Sequence, residues 1–123
     1  MSWNIDSDKP IFKQLMDIIT NKIISGEYPS GEKLLSVREL AALAKVNPNT
    51  MQKALSELEQ TGLIITQRTN GRFVTADTEL IDNYKKMLLN KIILEFLNEA
   101  KTLGISYNDI IKAITQSVKE LEK

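Results

Sequence analysis

Two helix starts crowd into one short stretch of this sequence and leave the chain between them little freedom. Ser36-Val37-Arg38-Glu39 has the pattern of a capping box, in which the serine hydroxyl and the glutamate carboxylate satisfy each other's backbone N–H groups, ahead of the apolar positions Leu40, Ala41 and Leu43. Asn47-Pro48 marks a second start. Asparagine is a strong cap, and proline at the first helical position gives up an N–H that has no partner there anyway. The earlier helix must therefore finish near Ala44, leaving Lys45 and Val46 to turn the chain, and Gly62 stops the later one. Two helices joined by a tight turn are the outcome.

The flanks complete a small domain. Residues 10 to 25 carry Ile11, Phe12, Leu15, Met16, Ile19 and Ile23 at helical spacing between Pro10 and Gly26, and Pro29 with Gly31 forbids any continuation. After Gly62, two β-branched and aromatic runs, LIITQ and RFVT, flank Arg68-Thr69-Asn70-Gly71. Asn-Gly between strands predicts a hairpin turn, because both residues tolerate positive φ. From about residue 78 a long helix runs to near Leu103 and ends at Gly104. A second capping box is expected at Ser106 to Asp109, with Ile105 and Ile110 stapling the start of a last helix. The fold class is mainly α with a small β-hairpin: a winged helix-turn-helix domain over residues 1–76 and a two-helix tail over residues 77–123.

Composition excludes several kinds of chemistry. With no cysteine and no histidine, the chain lacks disulfides, thiol nucleophiles, imidazole bases and the usual zinc ligands, so no metal site and no cofactor is implied. No catalytic residues stand out either: Asp6 and Asp8 lie in the leader, Glu57 and Glu59 fall on an exposed helix, and no base accompanies a serine or lysine at readable spacing. The polar start and the lack of an apolar run near the ~20 residues of a membrane span predict a cytoplasmic protein, free to work at the nucleoid, with no membrane partner.

Sixteen basic residues balance sixteen acidic ones, which alone argues mildly against a nucleic-acid partner. Distribution reverses that. Between Lys33 and Thr75 the cations Lys33, Arg38, Lys45, Lys53, Arg68 and Arg72 outnumber Glu39, Glu57 and Glu59. On the helix that follows Asn47, the apolar residues Met51, Ala54, Leu55 and Leu58 share one face, so Asn49, Gln52, Lys53 and Ser56 project from the other. Asparagine and glutamine amides can pair bidentately with an adenine edge, Thr50 offers a hydroxyl and a methyl, and Lys53 can reach a phosphate or a guanine. Arg38, at the start of its helix, suits a flanking phosphate. Arg68, Asn70 and Arg72 at the hairpin tip suit the adjacent backbone or minor groove. Trp3 and Tyr28 are expected to pack on the first helix, since single-strand binders array several aromatics on strands.

These elements, in the order SVRELA, NPNTMQKAL, LEQTGLI and GRFV, resemble the winged-helix domain of the GntR family of bacterial transcription regulators over residues 10 to 75. The short tail is similar to that of the YtrA-like subfamily, where it implies dimerisation. By position, the resemblance implies DNA contact by Arg38, by Asn47, Asn49, Thr50 and Gln52, and by Arg68, Thr69, Asn70 and Gly71 of the wing. It also implies repression of nearby genes. The sequence departs from much of the family at Leu35, Pro48, Gln52 and Arg72, where proline, two arginines and threonine are usual. With two guanine readers replaced, adenine-rich half-sites are expected.

The tail needs a partner. Along the long helix the early apolar residues Leu80, Ile81, Tyr84, Met87 and Leu88 cluster on one side, and Ile92, Ile93, Phe96 and Leu97 swing well away from it at ~100° per residue. The first group is expected to lie on the winged domain. The second, with Ile111, Ile114 and Val118 of the last helix, is expected to form a homodimer interface, because so short a tail cannot bury that surface alone. The function expected is a homodimeric repressor bound to a palindromic double-stranded operator; the operator sequence, the regulated genes and any small-molecule effector are not readable. The alternative is a winged helix that binds protein without reading DNA, since fold alone does not fix function.

Overall fold

The computed structural model describes residues 3–123 and places among them five helices and one antiparallel hairpin. In chain order these are α1 (Ile11–Ile24), α2 (Val37–Ala44), α3 (Pro48–Thr61), β1 (Ile64–Gln67), β2 (Gly71–Val74), α4 (Thr78–Lys101) and α5 (Tyr107–Leu121). The chain divides into two compact units, Met1–Lys85 and Lys86–Lys123. The first turns of α4 thus belong with the winged unit. No helix among the described residues is long and apolar enough to cross a membrane.

Helical spacing builds the core of the first unit. Leu15, Ile19 and Ile23 of α1, Leu40, Ala41 and Ala44 of α2, and Met51, Ala54, Leu55 and Leu58 of α3 are all buried, joined by Leu63, Ile64, Val74 and Ile81. Leu80 and Tyr84 of α4 are half-buried against the same core, while Met87 is exposed. Trp3 and Tyr28 do pack on this core. They also enclose something the sequence did not foretell. The Lys22 ammonium is buried 5.0 Å from the Trp3 ring centroid and 5.6 Å from that of Tyr28, and is paired with Glu27. Two ring faces and a carboxylate make that burial tolerable for a cation.

Local chemistry fixes the helix-turn-helix. At Ser36 both halves of the capping box form: Glu39 N–H donates to Ser36 Oγ at 3.2 Å, and Ser36 N–H donates to Glu39 Oε1 at 3.0 Å. The bond from the Ser36 backbone holds the Glu39 carboxyl below its ordinary range, so its contribution is present above the usual glutamate pKa and fades as acid protonates it. Lys45 then turns the chain in the left-handed region at φ 58, the only non-glycine among the described residues to do so. Asn47 Oδ1 accepts from Asn49 N–H at 2.8 Å and starts α3. Gly62 ends it at φ 82, where a Cβ would crowd the Leu80 side chain at 3.3 Å.

Several local expectations are corrected. The hairpin forms where expected, but of the Asn-Gly pair only the glycine takes positive φ: Gln67 pairs with Gly71, the loop is Arg68-Thr69-Asn70, and Asn70 N–H closes it on the Gln67 carbonyl at 3.1 Å. A loop of that length needs positive φ only at its end, and Gly71 supplies it at φ 94. At Ser106 only half a capping box forms, with Asp109 N–H donating to Ser106 Oγ; aspartate is one methylene shorter than glutamate and does not return the bond. Helix α4 ends at Lys101, short of Leu103. Of the expected staple, Ile110 is buried and Ile105 exposed.

Truncating Leu55 to alanine should destabilise the winged unit by about 2–5 kcal/mol in urea unfolding, as buried leucines do. Ser36→Ala should cost about 1 kcal/mol through the lost cap.

Candidate nucleic-acid interface

The buried stripe under α3 decides what its other side presents. Met51 and Leu55 have no exposed surface and Leu58 has 1%, so Asn49, Gln52 and Lys53 are left on the outer face, all exposed. These three do not share one environment. The Asn49 amide has no partner among the described residues, and its backbone N–H is held by Asn47. Gln52 Nε2 donates to Ser56 Oγ at 3.2 Å, one turn along the same face. Such an exposed bond is easily exchanged for a better one. Lys53 leans toward α1, its ammonium 4.1 Å from the Phe12 ring centroid. Thr50 is half-buried beside them, and Asn47 has its amide oxygen committed to the cap.

The wing follows α3 and is tied to its last turn by Arg72. Arg68, Thr69, Asn70 and Gly71 are all exposed, with Asn70 Nδ2 3.4 Å from Gln67 Oε1. Arg72 behaves differently. Its Nε donates to Glu59 Oε1 at 2.6 Å, and its side chain is only 19% exposed. Glu59 is held below the ordinary carboxylate range by a hydrogen bond from Thr66 and by Arg72, against the opposing effect of partial burial.

Between the wing and the start of α2 opens a cleft of about 720 Å³, lined by Lys33, Ser36, Arg68, Asn70 and Arg72 among others. Lys33 was a basic residue without an assigned role in the sequence. The structure sets it beside the wing through a bridge to Phe73, with its Cε where a Cβ on Gly71 would press at 3.3 Å. Nothing local in the sequence carries that signal, which comes from strand pairing. Arg38 is exposed in the first turn of α2. Chemically, the face offers amides and hydroxyls that can both donate and accept, flanked by cations, which is what base edges and phosphates require.

Comparison with known proteins agrees with that chemistry. Residues 12–74 match the model of the bacterial regulatory proteins of the gntR family. The chain is similar to the HTH-type transcriptional regulator YhcF of Bacillus subtilis, 36% identical over 93% of this chain and 94% of that protein. It is also similar to the HTH-type transcriptional repressor YtrA of the same organism, 33% identical over 92% of this chain and 90% of the relative. Among solved structures, a GntR family transcriptional regulator from Listeria monocytogenes superposes with a TM-score of 0.85 at 39% identity, covering 91% of this chain and 98% of its own.

The two asparagines at the start of α3 should separate cleanly. Asn47→Ala should lower stability by about 1 kcal/mol because a cap is lost. Asn49→Ala, exposed and unbonded through its side chain, should leave the thermal midpoint where it was.

Proposed function

This chain belongs to the GntR family of bacterial regulatory proteins and is a DNA-binding transcription regulator, not an enzyme; we propose that it acts as a homodimeric repressor reading a palindromic operator through the major groove. The observation that carries this reading is the outward amide face at the start of α3, with Asn49 and Gln52 exposed above the buried Met51, Leu55 and Leu58. A helix entering the major groove by its N-terminal end places those amides on base edges. In the proposed complex Thr50 and Asn47 border that contact, Lys53 swings off Phe12 to a phosphate, and Arg38 takes a flanking phosphate. Arg68, Thr69, Asn70 and Gly71 follow the neighbouring backbone or minor groove.

The tail supports the dimer. Ile92 is 61% exposed, Phe96 45% and Ile111 61%, with Ile93, Ile114 and Val118 exposed to a similar degree and Leu97 half-covered. Helix α5 buries only Ile110 among the described residues. An apolar surface of this kind marks an association site, and a second copy supplies the same surface by symmetry. Two α3 helices then engage half-sites one helical turn apart, ~34 Å, or a multiple of it. Repression follows from occupying the promoter, in the cytoplasm at the nucleoid, and the name of the similar YtrA supports that sign of regulation.

Duplex binding should weaken steeply with salt; affinity indifferent to salt would indicate an apolar protein contact instead. Asn49→Ala or Gln52→Ala should flatten preference at one base pair by about 1–3 kcal/mol, while Arg68→Ala weakens all sequences alike, as measured on a panel of operator variants. Phe96→Glu should convert the dimer to monomers in sedimentation and abolish tight binding to the two-half-site operator. A wild-type chain that sediments as a monomer at micromolar concentration would refute the dimer.

A further inference from the structure

Arg72 presents a contradiction of position and engagement. By sequence it is a cation next to the wing tip, suited to a phosphate, yet its guanidinium is turned inward onto Glu59 at 2.6 Å with most of its side chain covered. Glu59 lies in the last turn of α3, and Arg72 stands on β2 opposite Thr66 of β1. One carboxylate on α3 therefore holds a side chain of the hairpin's second strand. A two-stranded hairpin is marginal by itself. Its outer edge is tied by Val74 N–H to the Glu32 carbonyl at 2.8 Å and Leu34 N–H to the Arg72 carbonyl at 2.9 Å, and its inner side by this clamp.

We infer that Arg72 is a positioning residue, not a DNA contact: with Glu59 it forms a strap that fixes the angle of the wing relative to α3, so that Arg68 meets DNA while the α3 amides meet the bases. The inference rests on the DNA-reading function proposed above. With its Nε on the Glu59 carboxylate, Arg72 has its charge balanced inside the protein and its side chain turned from the wing tip, so it adds little net positive charge for a phosphate. Among the described residues the wing loop's exposed cation is Arg68, separated from the strand of Arg72 by the two exposed residues Thr69 and Asn70.

The test is operator binding over a range of salt by the full-length chain and by Arg72→Ala, Glu59→Gln, Arg68→Ala and the pairwise combinations. A partly exposed ion pair contributes little to global stability, so these variants should fold, and the exchanged pair Glu59→Arg with Arg72→Glu provides a form that keeps the strap. Arg72→Ala and Glu59→Gln should each weaken binding no more than Arg68→Ala does. Neither should alter the slope of log K against log salt beyond what Arg68→Ala alters it, and combining either with Arg68→Ala should cost nothing further. The exchanged pair should recover most of the loss. The inference is overturned if Arg72→Ala lowers the salt slope by about one, as loss of a phosphate contact does, while Glu59→Gln tightens binding by freeing the cation. Additive losses with Arg68→Ala overturn it as well. If Arg68→Ala and Asn49→Ala both leave binding untouched, the proposed reading face itself is wrong, and that result is distinct from either of the others.

Discussion

The stripe of Met51, Ala54, Leu55 and Leu58 beneath α3 is the constraint on which the rest depends. Those four side chains are essentially removed from water, and each buried large side chain is worth roughly 1.5–3 kcal/mol relative to exposure. Rotating α3 to hide Asn49 or Gln52 would expose that stripe and bury amides without partners, so both terms oppose it. The orientation of the polar face is thus a consequence of core packing, and it holds before any DNA is present. Such preorganisation lowers the conformational cost of binding.

Around that fixed helix the remaining parts fall into two groups. The capping box at Ser36, the left-handed Lys45 and the Asn47 cap set where α3 begins and how α2 approaches it. The Glu59 clamp and the Lys33 bridge concern the wing. Charge is divided along the same lines: Arg38 and Arg68 are exposed, and Arg72 is paired with Glu59. A chain with equal numbers of acidic and basic residues can still carry exposed cations beside α3, because Glu39 is engaged in capping a helix and Glu59 in holding an arginine.

Legibility in the sequence followed the distance over which each interaction acts. Caps span three residues and glycine stops act at a single position, so the helix-turn-helix was readable almost to the residue. Apolar spacing on α3 identified both its buried and its outward face. The partner of Arg72 lies thirteen residues earlier in the chain, brought near only by hairpin register, and the seat of Lys53 on Phe12 depends on how α1 meets α3. Neither leaves a local trace. The hairpin was readable from Asn-Gly between two β-branched runs, while the length of its loop was set by strand register. In the tail the sequence showed apolar residues without a partner, and they are exposed in the single chain, where the proposed dimer would cover them.

The most direct test of the outward reading face is an amide NMR titration of the isotope-labelled protein with its operator duplex. The largest shifts should fall at Asn49, Thr50 and Gln52, with smaller ones at Arg38 and through Arg68 to Gly71, and little change along α5. Shifts centred on the tail or on α1, with the start of α3 unmoved, would contradict it.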